Sequence, residues 1–578
     1  MKNIKHKNLF LAGVALLALG SFPLSVEAQV ITSPSDLPAG SDPARIIPSP
    51  KADGLNFEDM KAPRATAQSV ANIPKGADKI KFILKNVEFV GATAYSKSEL
   101  SSLYKSMMGQ SVTLADMLVL SSRVQQKYFD DGYSFVRVSM PEQNVASGQI
   151  RFNIIEGGVG DVIAQNLNTN TPLVKDALEQ IRAMRPVNVL KLERLLLVLN
   201  DFVDGDVTSV ISSYDGQAGR ANDGFIKVAL VQQTKQTFDG LVGFNNAGSI
   251  FSGPYQAQAR LGYIHAPFNY SKATLSLAGA LPLNDMKNVG LSYRMPVLGA
   301  SGAHINLGYT RGWTEAGHTL DPFDIIGQTE IMNAGFSYSF LRQRDIELTS
   351  SLGFEAKNID SDFLGNDLYR DRIRVLNAGL NYTASDPFSG VNFAAFTLSK
   401  GLNQLGARET GSLDLSRDEG RSDFFKVEGQ AGRVQSLPLG FEFYGNVSVQ
   451  WTNDPLLSSE EFGFGGAERG RGFTTSEITG DRGVAATVEV RKNMPAPQLN
   501  LAFQPFVFYD VGVVKNLDST DNERLSAASA GVGVRVFAPN GVSGDVTLAK
   551  PLTRAVDNPM KYAEPEGVQV LFSVQKAF

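Results

Sequence analysis

The sequence predicts a membrane-spanning β-barrel of about sixteen antiparallel strands, preceded by two small α/β modules. From about residue 236 onward, apolar alternation in runs of about ten residues replaces helical periodicity, as membrane-crossing strands require. Between residues 76 and 235, one order of elements, β-α-α-β-β, occurs twice. The final stretch GVQVLFSVQKAF alternates as a strand does and ends on the aromatic residue Phe578.

Residues 1–28 have the order of a cleavable secretion signal. Three lysines precede the apolar run Leu9–Leu19, and the small-residue stretch SVEAQV follows it. The run is too short to anchor the chain across a bilayer, so we expect Ala28 to be the last residue removed. The mature chain is therefore expected outside the cytoplasm.

Residues 29–75 are predicted to form an extended linker. Seven prolines fall among Ser, Ala, Asp and Gly residues, and such a segment buries too little apolar surface to offset the entropy lost on ordering. The stretch FEDMKAPRATAQ has the composition for a turn or two of helix, but Pro63 interrupts it.

Residues 76–157 and 158–235 are predicted to be the two modules. In the first, KIKFILKNVEFVG is predicted to be a strand and SKSELSSLYKSMMG a helix capped by Ser96. A second helix, TLADMLVLSSRVQQKYFDDGY, precedes the strands SFVRVSMP and QIRFNIIEG. The second module repeats this order between DVIAQNL and FIKVALVQQ.

Residues 236–578 are predicted to form the barrel, and LNLAFQPFVFYDVGVV shows the pattern. Every second residue from Leu499 to Val513 is apolar, whereas the opposite face is mixed and includes Asp510. Lipid outside and water inside would impose this difference between the two faces. A soluble β-sandwich would look similar over one strand, but a succession of about sixteen strands without a helix favours the barrel. We expect the last strand to close the barrel against the first, with Phe578 in an aromatic girdle.

Composition and missing motifs argue against an enzyme. The 578 residues include no cysteine and four histidines, and no H-E-x-x-H, G-x-S-x-G or P-loop spacing occurs. Without residues 1–28, 51 Lys and Arg stand against 58 Asp and Glu, so there is no basic bias toward nucleic acid. We therefore expect no catalytic site, no metal site, no cofactor and no nucleic-acid partner.

The run FGFGGAERGRGFTTSEITGDRG lies in a long predicted loop, residues 454–483, between the eleventh and twelfth strands. A flexible basic surface loop is one interpretation of its glycines and arginines. The other interpretation folds the loop back into the barrel lumen, where an arginine could form a bidentate pair with a carboxylate. Asp510 is a candidate partner, because the alternation of its strand directs it toward the lumen.

These stretches resemble the two-partner secretion transporters of the TpsB type, the haemolysin/haemagglutinin secretion-activation family of Gram-negative bacteria. The resemblance covers most of the mature chain. YFDDGYSFVRVSMPEQNVASGQIRFNIIEG is similar to the first POTRA module of that family, with Gly132-Tyr133 after the helix and Glu156-Gly157 at the end. Two modules fit this family better than the related barrel-assembly proteins, which usually carry more. In the linker, SDPARI loosely resembles the short plug helix of the family.

Two short motifs extend the resemblance into the barrel. Arg471-Gly472-Phe473 matches the [VI]-R-G-[FY] motif of the sixth loop, which the family inserts into the lumen, although Gly470 replaces the usual Val or Ile. The F-x-D-x-G motif of the thirteenth strand is matched by Phe508, Asp510 and Gly512. In the family, the Arg and the Asp are thought to lock the loop inside the barrel. The glycine at 470 implies a more flexible loop tip here.

The resemblance implies an outer-membrane transporter with its POTRA modules in the periplasm. Such a transporter captures an unfolded exoprotein, such as a β-helical adhesin or haemolysin, and passes it through the barrel to the cell surface without ATP. Outer-membrane lipid and, during biogenesis, the barrel-assembly machinery are the other implied partners. An outer-membrane assembly or insertion factor is an alternative. A passive porin would leave the modules and the RGF loop unexplained.

Overall fold

The computed structural model describes residues 34, 39–46, 73–203, 206–214, 225–233, 237–265, 268, 270–281, 283, 285–518, 524–553 and 567–578. The predicted signal 1–28, with its cleavage after Ala28, and most of the predicted linker lie outside the described residues. Within the linker, α1 (Pro43–Ile46) is a single helical turn. No helix in the described part of the chain is long and apolar enough to cross a bilayer.

The first module is a small sheet covered by helices. Its elements are β1 (Lys81–Ile83), β2 (Asn86–Val90), α2 (Lys97–Ser101), β3 (Ser111–Thr113), α3 (Leu114–Asp130), β4 (Val136–Ser139) and β5 (Gln149–Glu156). The main sheet has the order β2-β5-β4, with β2 parallel and β4 antiparallel to β5. Met117, Leu120 and Val124 recur at helical spacing on α3 and are buried in the core beneath it. Ser96 and Thr113 begin the two helices with capping boxes.

KIKFILKNVEFVG, predicted as one strand, is two strands in different sheets. β1 pairs with β3, whereas β2 joins β5. The chain turns after the buried residue Leu84, and the N–H of Lys85 donates to the carbonyl oxygen of Gly148 at 2.8 Å instead of continuing either ladder. The predicted helix SKSELSSLYKSMMG is also shorter, because α2 ends at Ser101 and a separate 3-10 turn covers Lys105–Met107.

The second module has the predicted β-α-α-β-β order. Its elements are β6 (Val159–Gln165), α4 (Pro172–Arg182), α5 (Val189–Phe202), β7 (Val207–Ser213) and β8 (Ile226–Gln232). The sheet order β6-β8-β7 repeats the parallel and antiparallel pairing of the first module. Val174 and Ile181 of α4 and Val198 and Leu199 of α5 are fully buried against this sheet.

Sixteen antiparallel strands form a closed barrel, so the predicted fold class and strand number are confirmed. The barrel strands are β9 (Phe238–Asn245), β10 (Gln256–Ile264), β11 (Lys272–Ala280), β12 (Met286–Val297), β13 (Ala303–Glu315), β14 (Ile326–Arg342), β15 (Ile346–Phe363), β16 (Asn366–Ser385), β17 (Gly390–Gly401), β18 (Phe425–Ser436), β19 (Phe441–Thr452), β22 (Arg482–Lys492), β24 (Leu501–Lys515), β25 (Arg524–Ala538), β26 (Val542–Pro551) and β27 (Gln569–Ala577). Between β19 and β22, β20 (Phe462–Phe464) and β21 (Ile478–Gly480) form a separate hairpin. The short β23 (Met494–Ala496) continues β22 on the same partner, β24. β27 closes the barrel against β9, with Val574 opposite Phe244.

The two faces of the barrel wall differ as the alternation predicts. On β24, the side chains of Val507, Tyr509 and Val511 face outward and are 52, 42 and 38% exposed. Phe508 and Asp510 between them are buried on the lumen side. The outer wall is therefore apolar where it meets lipid, and polar groups are turned inward.

The three longest of the described strands are much longer than the ten or so residues that the sequence predicts. β14, β15 and β16 contain 17, 18 and 20 residues. A bilayer requires only about 9–11 residues of a tilted strand, so this part of the wall projects beyond the membrane. Polar pairs there replace contact with lipid, for example Arg372 Nη2 with Asp360 Oδ1 at 2.7 Å.

The second module is docked on one rim of the barrel. Arg194 of α5 donates to the backbone carbonyls of Ser301 and Ser339 at 3.0 and 2.7 Å. Arg342, at the end of β14, pairs with Asp201 at 2.6 Å. These contacts involve the short turns of the barrel, whereas the long segment between β19 and β22 leaves the wall at the opposite rim.

Candidate functional site

The segment between β19 and β22, residues 453–481, folds back into the barrel and is called the lumen loop below. Its hairpin β20–β21 packs on the inner faces of β22, β24 and β25, and Phe464 and Ile478 are fully buried there. The apolar cluster that holds the loop consists of Phe462, Phe464, Phe473, Ile478, Ala485, Val514 and Ala527. Burial of this apolar surface favours the docked position of the loop.

Arg471 of the lumen loop lies against Asp510 of β24. Its Nε and Nη2 atoms are 2.9 and 2.8 Å from the two carboxylate oxygens, a bidentate pair. The backbone N–H groups of Gly470 and Arg471 donate to the same carboxylate at 3.2 and 3.1 Å. Asp510 is fully buried and Arg471 is 5% exposed. Four hydrogen bonds thus compensate the loss of water around this carboxylate.

A second carboxylate, Glu489 of β22, completes the site. It contacts Nη1 of Arg471 and also pairs with Arg491 and Arg535, at 2.7 and 3.1 Å. The ring of Phe508 lies under the Arg471 guanidinium, with 3.6 Å between the ring centroid and Cζ. Charges of opposite sign therefore alternate through the site, which is the condition for retaining buried ions.

Two glycines allow the loop to approach the wall. Gly470 has a φ of +83°, and a Cβ at this position would lie 2.8 Å from the ring of Phe464. A Cβ at Gly472 would lie 2.7 Å from the Cβ of Ser529 on β25. The sequence predicts that Gly470 makes the loop tip flexible, whereas the structure gives it a packing role that Val or Ile does not fit.

The three residues of F-x-D-x-G on β24 have separate contacts with the loop. Phe508 lies beneath the guanidinium, Asp510 forms the ion pair, and Gly512 leaves room for an aromatic ring. A Cβ at Gly512 would lie 2.3 Å from the ring of Phe464. One strand thus presents a ring, a charge and an open space on its lumen face.

A second group of charges, called the outer cluster, lies nearer the loop-bearing rim. Arg417, from the segment between β17 and β18, pairs with Asp481 and Asp518 at 2.6 Å each and with Glu461 at 3.1 Å. Glu461 also contacts Arg45 of α1. The outer cluster therefore joins four segments that are far apart in sequence.

The stretch SDPARI lies inside the barrel against β14, β15 and β16. Thr329 donates to the carbonyl oxygen of Pro43 at 3.1 Å, and the hydroxyl of Tyr369 donates to Asp42. A Cβ at Gly327 of β14 would lie 2.3 Å from the Cβ of Pro43. This stretch loosely resembles the plug helix, and here it forms one helical turn in contact with the lumen wall.

Gly132 and Gly157 lie at the junction of the two modules. Gly132 has a φ of +91°, and its carbonyl oxygen accepts from the N–H of Val189 at the first turn of α5, at 2.8 Å. A Cβ at Gly132 would lie 2.9 Å from Oδ1 of Asn188. Gly157 accepts from the N–H of Val187, also at 2.8 Å. The backbone at these glycines sets how the second module follows the first.

Glu156 and Tyr133 lie next to this junction. The carboxylate of Glu156 accepts hydrogen bonds from the hydroxyl of Tyr128 at 2.6 Å and from the N–H groups of Thr93 and Ala94 at 2.9 and 3.1 Å. Burial raises the pKa of Glu156, but a hydrogen bond from the hydroxyl of Thr93 and the three bonds above outweigh burial and hold the pKa below the usual value of a glutamate. The ring of Tyr133 packs edge-on against Tyr128, with 5.9 Å between centroids. These contacts stabilise the end of the first module.

Phe578 follows β27 at the rim that carries the second module. Its N–H donates to the carbonyl oxygen of Gly240 on β9 at 2.9 Å, and it accepts from the Gly240 N–H at 2.8 Å. The ring covers Gly240, where a Cβ would lie 2.3 Å from it, and is 58% exposed on the outer wall. Phe578 thus extends the seam between the last and first strands.

Glu489 and the outer cluster were not predicted from the sequence. Alternation along RGVAATVEVRK places Glu489 on the same face as Ala485, so the same alternation could have predicted that Glu489 faces the lumen. The contact between Arg45 and Glu461 spans 416 residues, and no local pattern indicates it.

Comparison with known families matches two regions of the chain. The family described as "Haemolysin secretion/activation protein ShlB/FhaC/HecB" matches residues 224–536, more than half of the chain. The domain described as "POTRA domain, ShlB-type" matches residues 82–157. The first match runs from β8 of the second module through most of β25 and includes the lumen loop, and the second covers nearly all of the first module.

Relatives match nearly the whole chain at low identity. The heme/hemopexin transporter protein HuxB of Haemophilus influenzae strain 86-028NP is 22% identical over 90% of this chain and 91% of its own length. The outer membrane transporter CdiB of Dickeya dadantii is 24% identical over 90% of this chain and 92% of its own length. The structure of CdiB from Escherichia coli is similar in fold, with a TM-score of 0.76, 18% identity, and 89% of this chain and 94% of that chain covered.

Proposed function

Because the chain belongs to the haemolysin secretion/activation protein family, we propose that it captures an unfolded exoprotein and passes it through the barrel to the cell surface. Members of this family are outer-membrane transporters, and their POTRA modules lie in the periplasm. The observation that carries the proposal is the combination of two such modules with a barrel whose lumen is occupied by a loop held through one buried charged site. A static porin needs neither feature.

Capture of the exoprotein is assigned to the modules. β7 lies at an edge of the second module's sheet and, among the described strands, pairs only with β8. It exposes Val210 and Ile211, which are 56 and 38% accessible and point to opposite faces of the sheet. An exposed edge of this length can pair with an extended chain through backbone hydrogen bonds, which demand little of the partner's sequence.

Passage through the barrel requires the lumen loop to move. Arg471, Gly472 and Phe473 on the loop, and Phe508, Asp510 and Gly512 on β24, are proposed to lock it in the closed position. Support comes from the bidentate pair and from the burial of Asp510. Because these groups fit closely together, the loop is expected to be either docked or undocked, without a continuous range of positions between the two.

The partner is proposed to be a large secreted protein of β-helical type, such as an adhesin or haemolysin. The family's description refers to haemolysin secretion, and the similar proteins HuxB and CdiB are described as transporters. A β-helix folds by adding successive coils, so an exoprotein that emerges unfolded can fold progressively outside the cell. Folding outside then supplies the driving force without a nucleotide.

Co-expression tests the proposed function. We expect a candidate exoprotein from the same genome to appear in the medium or on the cell surface only when this chain is present. A periplasmic marker enzyme serves as the leakage control and should stay inside the cells. Equal release of exoprotein with and without the chain, or release of the marker alongside it, would contradict the proposal.

Phe578 is proposed to act in barrel insertion, together with the barrel-assembly machinery. Deleting Phe578 removes two backbone hydrogen bonds at the seam and the ring over Gly240. We therefore expect a smaller heat-modifiable fraction in the outer membrane than for the wild-type chain. Phe578→Tyr keeps the ring and is the matched control. A deletion variant that inserts as well as the control would show that the residue is dispensable.

A further inference from the structure

Three cations stand side by side on the outer wall of the barrel. Arg482 begins β22, Lys515 ends β24 and Arg524 begins β25, all at the loop-bearing rim. Their registers place Arg482 directly opposite Lys515, and Lys515 directly opposite Arg524. Like charges directly opposite each other destabilise an antiparallel sheet. We call these three residues the basic row.

The position of the basic row on the outer face follows from the residues below it. The alternation of the three strands places Val484, Val511 and Val532 on the same outward face as the basic row. They are 42, 38 and 49% exposed on the lipid-facing wall. Lys515 and Arg524 are themselves exposed. The row therefore stands at the upper edge of the apolar belt, where lipid head groups lie.

Arg482 is also fixed against an aromatic residue of the interface. Its guanidinium lies 3.8 Å from the ring centroid of Trp451, and its Nε and Nη2 atoms donate to Thr452 O and Asn453 Oδ1 at 2.6 and 2.9 Å. These bonds use two of the five N–H donors of the side chain. Tryptophan is the residue that marks a membrane–water interface, so Trp451 places Arg482 at head-group depth.

On the opposite part of the wall, outward-facing arginines are separated by polar side chains of the same chain. There the corresponding row reads Arg311, Glu330, Asn358 and Arg372 on four adjacent strands. Glu330 accepts from Asn358 at 3.2 Å, so polar partners of the chain itself lie between the two arginines. In the basic row, the described residues on the outer face supply no such acidic neighbour between the cations.

We propose that the basic row binds the phosphate groups of a diphosphorylated glycolipid of the lipid A type in the outer leaflet. Neighbouring strands are about 4.8 Å apart, so the three cations span roughly 10 Å, enough for more than one phosphate. Arg and Lys both form short, charge-assisted hydrogen bonds with phosphate oxygens. The acyl chains of the same lipid would contact the valines below. A soluble phosphate would gain nothing from that apolar wall.

Binding of purified lipid A to the full-length chain in detergent micelles tests the proposal. The variant carries Lys515→Gln and Arg524→Gln, both at exposed positions, so folding of the barrel should not change. Each basic residue near an anionic surface contributes about 1 kcal/mol, or roughly fivefold, so we expect the variant to bind diphosphoryl lipid A about 25-fold more weakly. Wild-type protein should also bind monophosphoryl lipid A more weakly than the diphosphoryl form.

Two controls distinguish binding at the basic row from binding to other surface cations and from binding of phosphate alone. Lys492→Gln with Lys576→Gln removes two cations at the opposite rim and should leave lipid A affinity unchanged. Inorganic phosphate should compete only at concentrations far above those of the lipid. Equal losses in the two double variants, no loss in either, or inorganic phosphate as effective as lipid A would each overturn the proposal.

Discussion

Arg471→Ala is expected to release the lumen loop and, because transport is proposed to need a loop that can return to its docked position, to abolish most secretion of the cognate exoprotein. The substitution leaves the fully buried carboxylate of Asp510 without its bidentate partner. Breaking a buried ion pair by removing one partner costs about 3–5 kcal/mol, and 3 kcal/mol shifts the ratio of docked to undocked loop by roughly 100-fold. Limited proteolysis of the loop in intact cells and exoprotein in the medium are the two measurements.

A double-mutant cycle separates this pair from general damage. We expect Asp510→Ala to reduce secretion as well, and the double variant to be no worse than the worse single variant, because residues in contact are not additive. Arg469→Ala is the matched control, since Arg469 lies in the same loop over the ring of Phe462, with 5.4 Å between Cζ and the centroid. Strictly additive losses, or a control as damaging as Arg471→Ala, would refute the lock.

Deleting residues 76–157 is expected to abolish secretion while leaving an inserted barrel. The first module is joined to the second at Gly132 and Gly157, whereas the second module supplies Arg194 and Asp201 to the barrel rim. The deletion therefore removes one of the two modules to which capture is assigned, without removing the contacts that hold the rim. Exoprotein should accumulate in the periplasm, measured by immunoblotting of cell fractions.

Heat-modifiability and channel conductance of the deletion variant provide the control. A barrel that migrates as folded and conducts ions, together with no exoprotein outside the cell, is the expected pair of results. Secretion that persists without residues 76–157 would show that the first module is not needed for capture.

The fold could be predicted from the sequence because each barrel strand has its own apolar alternation, which can be recognised locally. Alternation along β24 placed Tyr509 outside and Asp510 inside, and β27 was expected to close the barrel against the first strand; the structure has both. The length of β14 to β16 was not predicted, because the outer face of a strand is no longer apolar once the strand leaves the bilayer. On β15, for example, the apolar alternation of the outer face ends at Asn358 and Asp360. KIKFILKNVEFVG was taken as one strand because apolar residues alternate on both sides of the turn. The apolar positions change parity there, from Phe82 and Leu84 to Val87 and Phe89, which marks the break between the two strands.

The candidate site was predicted only in part. Arg471 and Asp510 were paired from a motif and from parity, and the structure places their side chains 2.8 Å apart. Glu489 was overlooked although the same parity applies to it. The contacts of Arg45 and Arg417 with Glu461 depend on how distant segments meet inside a closed lumen, which no local periodicity encodes.

Cross-linking of an exoprotein in transit tests the central claim most directly. The chain has no cysteine, so one introduced thiol is unique. Ser351 and Ser350 are neighbours on β15 with opposite parity: Ser351 faces the lumen beside Gly379, and Ser350 shares the outward face of Leu352, which is 62% exposed. If the exoprotein passes through the barrel, a stalled, cysteine-bearing exoprotein should cross-link to Ser351→Cys and not to Ser350→Cys. Equal cross-linking to both positions, or none to Ser351→Cys while secretion continues, would contradict passage through the lumen.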